Sequence, residues 1–417
     1  IFCHFMEGST GFAVTDYWLG RLLLNLLGYA SVFVPGYLIY RYTKSEKWIG
    51  QVQENKWTKF LALCFKEHEV DKIDLEGGQS TNSNVKKEKT TFQSIVLLSY
   101  CVVGLQGSYL TWGLLQEKIM TREYLNENGE PMKFKDSQFL VFVNRILALV
   151  LALAYIKLKP QGKHQAPLYK YSYSSFSNVM SSWCQYEALK FVSFPMQVLA
   201  KASKIIPVML MGKVVSNKSY ERYEYVTAVM ISIGMTLFLL GNSEDTKGSS
   251  TTLSGIIILI GYMTFDSFTS NWQGALFSQY KMSSIQMMAG VNLFSVLLTS
   301  TTLLQQGGFI NSFSFMFKYP SFISDCIFLS VCSAGGQLFI FFTIQQFGPV
   351  VFTIIMTVRQ GLAILLSCIF YGHALHFIGA IGVIVVFGGV FLRIYCSYRL
   401  RRSRMQTGIN IPGHAEK

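Results

Sequence analysis

The sequence predicts an all-α polytopic membrane protein with ten core transmembrane helices, arranged as two inverted five-helix repeats, plus one extra N-terminal transmembrane helix. Only 14% of its 417 residues are charged and 51% are hydrophobic, whereas a soluble domain carries about 25% charged residues. The apolar residues gather in runs long enough to cross a bilayer as helices. The net charge of +13 fits basic residues that flank and orient membrane spans, and we expect no nucleic-acid partner.

Eleven apolar runs are candidate spans. The first, within residues 17–41, is the extra N-terminal helix. Residues 42–91 mix charged and polar side chains, so we predict a solvated, partly disordered loop there. The ten core runs are residues 92–116, 137–158, 172–192, 195–215, 222–241, 253–275, 284–304, 325–346, 349–371 and 375–396.

Basic residues in short loops predict the orientation of the chain. The loop KLKPQGKHQAPLYK has four lysines and no acid, and the C-terminal segment YRLRRSR is also basic. With this number of spans both lie on one side, which we interpret as the cytosol. This places residues 1–16 in the lumen, and both the 42–91 loop and the basic tail 397–417 in the cytosol.

Two parts of the chain share a pattern of elements. Near Pro195 and again near Pro349, a proline opens a span with polar or cationic residues, and a short polar turn and a glycine-containing span follow. If these parts are equivalent, residues 92–241 and 253–396 each hold five spans. An odd number forces opposite orientations in the membrane. Inverted repeats are common in secondary transporters, which bind substrate near the midplane between the repeats.

Several cations lie deep inside predicted spans. Counting about 1.5 Å per residue from the start of each span, Lys204 is about 13 Å deep, Arg359 about 15 Å and Arg145 about 12 Å, in a bilayer core of about 30 Å. Lys201 is shallower. An ionisable residue at the bilayer centre costs about 2.5–3.5 kcal/mol on insertion scales, so it normally faces the protein interior or a water-filled cavity.

Polar residues at helical spacing form four stripes on the predicted spans. They are Gln197, Lys201 and Lys204; Thr353, Thr357 and Gln360; Ser174, Asn178, Ser181 and Gln185; and Tyr262, Asp266, Thr269 and Gln273. Such stripes on apolar helices predict a wet central cavity. On an ideal helix Arg359 lies about 120° from the stripe that contains Thr353. It would reach the same cavity only through a helix break or its long side chain.

Buried cations outnumber buried carboxylates in this sequence, which favours an anionic guest. Lysine offers a compact charge for phosphate, and arginine binds phosphate or sulfate oxygens in pairs. Tyr109, Tyr186 and Tyr262 are candidates for stacking a base. Asp266 is either a structural counter-ion for these cations or a direct substrate contact, and the sequence leaves both open. The residues themselves predict a transporter of a phosphorylated or sulfated organic anion.

Two other functional classes are less compatible with the sequence. A membrane-embedded transferase would need a catalytic group of carboxylates or histidines with a metal motif, but His373 and His376 stand alone near a helix end. A seven-helix receptor does not fit the span count. The eight cysteines are scattered without metal-ligand spacing, so we expect no enzyme, no cofactor, no metal site and no disulfide framework.

Several long runs resemble the nucleotide-sugar transporter group of solute carriers. They are YSYSSFSNVMSSWCQYEALKFVSFPMQVLAKASKIIPVMLMGK, GYMTFDSFTSNWQGALF, YKMSSIQMMAGVN and FGPVVFTIIMTVRQ. The resemblance covers residues 92–396 and is greatest to members that carry 3'-phosphoadenosine 5'-phosphosulfate (PAPS). It implies the drug/metabolite transporter fold, a Golgi membrane with the C-terminus in the cytosol, and exchange of a cytosolic activated nucleotide for a luminal nucleotide product such as adenosine 3',5'-bisphosphate.

The resemblance also implies a site. Family members place phosphate-binding cations on the span with Lys201 and Lys204 and on the late span with Arg359. Many have a basic residue after that arginine, where this chain has Gln360. We therefore expect these three cations to hold the phosphosulfate or 3'-phosphate and Arg145 a second anionic group. The stripe of Asn178 and Gln185 and the aromatic rings would hold adenosine. A transporter of another nucleotide or nucleotide-sugar is the alternative.

Overall fold

The computed structural model describes residues 18–43, 64, 91–125, 131–134, 136–159, 161, 166–188, 191–192, 200–201, 203–242, 253–280, 282–305, 307–371 and 377–406. Most of the predicted 42–91 loop, the N-terminal segment 1–16 and the tail beyond residue 406 lie outside these ranges. The described chain is nearly all helical. The helices are α1 (Trp18–Thr43), α2 (Thr91–Thr121), α3 (Ser137–Leu158), α4 (Tyr169–Ala188), α5 (Ile205–Ser216), α6 (Arg222–Asn242), α7 (Leu253–Gln279), α8 (Ser284–Gln305), α9 (Gly308–Lys318), α10 (Pro320–Tyr371) and α11 (Phe377–Gln406).

Seven helical segments of the described chain are long and apolar enough to cross a membrane. They are Trp18–Thr43, Phe92–Gln116, Gln138–Leu158, Leu253–Gln279, Ser284–Gln305, Pro320–Arg359 and Phe377–Ser397. Helix α5 is a shorter apolar helix of 12 residues. The chain is therefore a polytopic membrane protein.

Local sequence explains where several helices begin and end. Helix α3 begins after Asp136, whose Oδ1 accepts hydrogen bonds from the backbone N–H groups of Gln138 and Phe139 at 3.1 and 3.2 Å. This is the usual N-cap arrangement. Helix α5 ends at Asn217 in the left-handed conformation, with φ of 46°. In α10 the backbone breaks at Gly348, with φ of 83° and ψ of 171°, just before Pro349.

The break divides α10 into two arms, residues 320–347 and 349–371. The second arm carries Arg359. Only glycine readily adopts the Gly348 conformation, and Pro349 lacks the N–H that would continue the helical hydrogen bonds. The two spans predicted at 325–346 and 349–371 correspond to these arms.

The structure also contains two elements that the sequence prediction missed. Strands β1 (Glu123–Leu125) and β2 (Pro131–Lys133) form an antiparallel hairpin between α2 and α3. This short hairpin is a local departure from the predicted all-α class, in a described chain that is otherwise helical. The 11-residue helix α9 lies between α8 and α10 and is too short to span a bilayer. Its aromatic residues pack with the hairpin in one cluster that includes Phe134 and Phe322.

Helix packing links the two halves of the chain. Helices α4 and α5 contact α7, both arms of α10 contact α2, α3 contacts α8, and α6 contacts α11. The α6–α11 pair approaches so closely that a Cβ on Gly382 would lie 2.6 Å from the carbonyl oxygen of Gly234. Helix α1 packs on the outside of α8, where Tyr29 Oη and Thr302 Oγ1 are 3.1 Å apart.

Candidate functional site

Several of the polar residues predicted from the sequence meet near the middle of the helices. Asp266 is the central residue of α7, with 13 residues on either side, and lies about 20 Å from each helix end. Arg145 and Asn178 occupy similar middle positions in α3 and α4. We call the following residues the central cluster: Tyr109, Arg145, Asn178, Lys201, Lys204, Asp266 and Arg359.

The first contact in the central cluster is an ion pair between Lys204 and Asp266. Lys204 is the N-cap residue that precedes α5, and Asp266 lies on α7. Lys201 is close enough to interact electrostatically with both of them and with Arg359. Of the two interpretations left open for Asp266, the counter-ion contact is present in this conformation. Both partners retain accessible surface, 16% for the Lys204 side chain and 26% for that of Asp266.

Arg359 makes the second contact. Its guanidinium carbon lies 5.5 Å from the centre of the Tyr109 ring, which joins the second arm of α10 to α2. This geometry is a cation–π contact, which neutralises less charge than a carboxylate would. Arg359 Nε is buried without a hydrogen-bond partner in the described part of the chain. Arg359 therefore has an N–H donor available for an anion.

The third contact joins α3 and α4. Arg145 Nη2 donates a hydrogen bond of 2.9 Å to Asn178 Oδ1. The amide satisfies one donor but does not neutralise the charge. Arg145 also interacts electrostatically with Tyr109, so Arg145 and Arg359 both lie near the same phenol group.

The central cluster carries a surplus of positive charge. It holds four cationic side chains and one carboxylate. In a region of low dielectric such an excess is unfavourable unless an anion or water offsets it. This electrostatic situation suits a polyanionic guest.

The structure places other predicted site residues outside these contacts. Thr353 and Thr357 are 1% and 2% exposed, and their hydroxyls donate to the backbone carbonyls of Pro349 and Thr353, each at 2.9 Å. Gln185 is half-buried on the Asn178 face of α4, two turns further along, whereas the Tyr186 ring is 54% exposed. Gln197 and the side chain of Gln360 lie outside the described residues.

Part of the predicted polar stripes serves helix packing. Gln273 Nε2 on α7 donates a 2.8 Å hydrogen bond to Ser174 Oγ on α4, and both residues are at most 5% exposed. Tyr262 is also buried, at 5% exposure. The expectation that all four stripes face a wet cavity is therefore wrong for the Ser174–Gln273 contact, which lies within the α4–α7 interface.

One candidate residue was missed by sequence reasoning. Gln106 lies one turn before Tyr109 on α2, and its Nε2 is buried without a hydrogen-bond partner in the described chain. An unpaired buried amide is costly, so this donor is available for a polar ligand group or for water. The signal was present in the sequence as an amide three residues from Tyr109 in an apolar run.

The side chains of the central cluster are of the types that suit non-covalent binding of an anion. Within the described residues, no group of three or more His, Cys, Asp or Glu side chains is arranged to hold a metal ion. The lysines and arginines supply N–H donors and positive charge. Tyr109 and the amides supply an aromatic face and neutral polar contacts.

Comparison with known proteins identifies close relatives. The chain is 53% identical over 408 residues to Adenosine 3'-phospho 5'-phosphosulfate transporter 1 of Drosophila melanogaster, covering 95% of this chain and 87% of that protein. It is 51% identical to the protein of the same name from Homo sapiens, covering 93% and 89%. It is 36% identical to UDP-galactose/UDP-glucose transporter 5 of Arabidopsis thaliana, covering 76% and 91%.

One solved structure and one family model also match the chain. A crystal structure at 12% identity superposes with a TM-score of 0.50, covering 70% of this chain and 97% of that one, which is a likeness of fold alone. The model of the UAA transporter family matches residues 97–397, which include every residue of the central cluster. The chain belongs to the UAA transporter family.

Proposed function

We propose that this protein carries PAPS from the cytosol to the Golgi lumen, in exchange for adenosine 3',5'-bisphosphate or a related nucleotide, and so supplies sulfotransferases. The observation that carries the proposal is the surplus of cations in the central cluster, beside the midpoint of α7. A nucleotide with a phosphosulfate and a 3'-phosphate offers several negative charges, which the four cationic side chains would offset.

Each part of the cargo has a partner in the central cluster. Lys201, Lys204 and Arg359 bind the phosphosulfate or the 3'-phosphate, and Arg359 Nε provides an unused donor for one of its oxygens. Arg145 takes a second anionic group. The Tyr109 ring, with amides such as that of Asn178, contacts the adenosine.

The names of the relatives support this cargo. Relatives from Drosophila melanogaster, Homo sapiens and Caenorhabditis elegans, at 53, 51 and 40% identity, share the name Adenosine 3'-phospho 5'-phosphosulfate transporter 1. The high identity extends over more than 90% of this chain. Such extensive similarity favours a common substrate class.

Two inverted repeats, residues 92–241 and 253–396, would give this site alternating access. In this proposal α2 corresponds to α7, α3 to α8, α4 and α5 to the arms of α10, and α6 to α11. The packing supports it: α7 contacts α4 and α5, just as α2 contacts both arms of α10, while α3–α8 and α6–α11 pair with each other. The Lys204–Asp266 contact then mirrors the Arg359–Tyr109 contact, with one cation from each repeat.

Exchange follows from the charge of the empty site. Without cargo the central cluster holds uncompensated positive charge, which would be unfavourable to carry through a conformational change in a low-dielectric environment. Binding of an anionic nucleotide from either side removes this barrier. Rocking of the repeats then exposes the same site to the lumen, with the C-terminus remaining in the cytosol.

Reconstituted transport tests the proposal. Uptake of radiolabelled PAPS into proteoliposomes should rise when the vesicles are preloaded with adenosine 3',5'-bisphosphate. Lys204→Ala and Arg359→Ala should each lower kcat/KM about ten- to a hundredfold, since each removes hydrogen bonds to a charged group worth about 1.5–3 kcal/mol. Lys213→Ala, an exposed position on α5 outside the central cluster, should retain uptake and serves as the control. The proposal is contradicted if uptake is the same with and without preloaded nucleotide and the same in the parent and the two cluster variants.

A nucleotide-sugar is the second candidate cargo, because of the relative named UDP-galactose/UDP-glucose transporter 5. A competition panel separates the two. Excess unlabelled PAPS should abolish uptake of labelled PAPS, whereas UDP-galactose at the same concentration should leave most of it. The reverse order of competition would favour the nucleotide-sugar.

A further inference from the structure

The two cations contributed by the proposed repeats have partners of different charge. Lys204 is paired with the carboxylate of Asp266, whereas Arg359 lies over the uncharged ring of Tyr109. The contacts occupy corresponding positions, each between a cation and the first helix of the other half. Among the residues that the structure describes, the Lys204 side therefore contains a built-in anion and the Arg359 side does not.

The Asp266 carboxylate lies where an anionic cargo would bind. Its partner Lys204 is the N-cap residue of α5, and the N-terminus of a helix attracts negative charge. Lys201 interacts electrostatically with the same carboxylate. A phosphate that binds Lys204 must therefore displace Asp266 or share the lysine with it.

From these contacts we infer that Asp266 is an internal competitor of the cargo: it pairs with Lys204 in the empty site, yields that lysine to the nucleotide on binding, and returns to it on release. Asp266 then lowers the affinity for cargo and speeds its departure. This inference rests on the proposed function, because it assigns a role in the transport cycle to a residue of the same site.

Accessible surface at the ion pair supports the competition. The side chains of Lys204 and Asp266 are 16% and 26% exposed, so they are neither sealed in packing nor fully solvated. A fully buried pair would be costly to break, and a fully exposed pair would be too weak to compete. Intermediate exposure suits a contact that opens and closes in each cycle.

Replacing the carboxylate by a neutral group tests the inference. In Asp266→Asn proteoliposomes, KM for PAPS should fall about three- to tenfold, and kcat should fall as well because release is slower. Asp266→Ser, a smaller neutral replacement, should shift both constants in the same direction. Ligand-induced thermal stabilisation of the detergent-purified variants should begin at lower PAPS concentrations than in the parent.

A second background distinguishes competition for Lys204 from a general change in charge. In Lys204→Gln protein, adding Asp266→Asn should leave KM nearly unchanged, because the lysine for which the carboxylate competes is absent. If Asp266→Asn lowers KM equally with and without Lys204, the carboxylate acts only through the overall field, and the inference is wrong. A rise in KM in Asp266→Asn and Asp266→Ser would show that Asp266 merely holds Lys204 in place, which also overturns it.

A failure of the proposed cargo can be distinguished from a failure of the competition by Asp266. The same series is measured with PAPS and with UDP-galactose as probes. If the parent takes up only UDP-galactose, the proposed cargo is wrong, and the direction of the Asp266→Asn change with that probe still decides whether Asp266 competes. If the parent takes up PAPS but the neutral variants bind it more weakly, the cargo stands and the competition does not.

Discussion

Arg359 and Tyr109 face each other across the two halves of the protein, with the guanidinium carbon 5.5 Å from the ring centre. The contact holds an arginine near the middle of the helices without giving it a counter-ion. The Arg145 charge acts on the same phenol from α3. Tyr109 thus contacts or approaches two like charges. Because its side chain is uncharged, it leaves in place the positive potential that an anionic cargo requires.

A carboxylate at position 109 should therefore weaken cargo binding. Tyr109→Asp would place a second internal anion beside Arg359 and Arg145, whereas Tyr109→Asn removes the same ring without adding charge. We expect KM for PAPS to be about tenfold higher in Tyr109→Asp than in Tyr109→Asn, since an added partly buried ion pair is worth about 1 kcal/mol or more. Equal KM values in the two variants would contradict the electrostatic role of this position.

The contact between Arg145 and Asn178 predicts different effects for two substitutions, one on stability and the other on KM. Asn178→Ala leaves Arg145 Nη2 without its 2.9 Å acceptor, which should destabilise the protein by about 1–3 kcal/mol. Asn178→Asp keeps the acceptor and adds a charge, so stability should be retained while KM for anionic cargo rises. Thermal unfolding in detergent measures the first effect and proteoliposome uptake the second. A stable Asn178→Ala protein would show that water satisfies the arginine instead.

Two glycines of α11 should respond differently to the same change. A Cβ on Gly382 would meet the backbone of α6, 2.6 Å from the Gly234 oxygen, whereas a Cβ on Gly388 has no atom within 4 Å. Gly382→Ala should destabilise the protein by about 1–3 kcal/mol through overpacking. Gly388→Ala should be neutral or slightly stabilising, because alanine favours helix. Similar unfolding temperatures for both variants would mean that α6 and α11 are not packed this closely.

The sequence predicted the elements with a strong apolar pattern. Helix α3 has the predicted bounds of residues 137–158. Helix α9 and the β-hairpin were missed because an 11-residue helix and three-residue strands are too short for a hydropathy pattern. The segment GFINSFSFMFK nevertheless carries an amphipathic pattern that a shorter search window would have detected.

The pairing of side chains was harder to predict than the bounds of the long helices. On an ideal helix Arg359 lies on a different face from Thr353 and Thr357. In the structure Arg359 contacts Tyr109, whereas both threonines donate hydrogen bonds within their own helix. Which face of a helix meets the site depends on how it is rotated against its neighbours. A single sequence does not contain that rotation. The same limit explains why Asp266 was left with two alternatives.

A buried carboxylate near the start of α10, Asp325, accepts hydrogen bonds from both charged and neutral donors. Their contributions to the stability of the protein can therefore be compared. Asp325 is 7% exposed and accepts from Lys118 Nζ at 3.1 Å, Arg122 Nη1 at 3.3 Å and Tyr124 Oη at 3.1 Å. The Lys118 and Arg122 side chains are 49% and 47% exposed, whereas Tyr124 is 1% exposed. Burial and the neighbouring carboxylate also raise the pKa of the Tyr124 phenol, so it stays a donor.

Tyr124, rather than either cation, should therefore account for most of the stability that Asp325 provides. Asp325→Leu should destabilise the protein by about 1–3 kcal/mol, mainly because the Tyr124 hydroxyl is left buried and unpaired. Tyr124→Phe should reduce that cost when combined with Asp325→Leu, whereas Lys118→Met should change it by less than about 1 kcal/mol, since an exposed ion pair contributes little. Double-mutant cycles from thermal unfolding in detergent measure both coupling energies. A larger coupling for Lys118 than for Tyr124 would show that the charges, and not the buried hydroxyl, hold α10 to the hairpin.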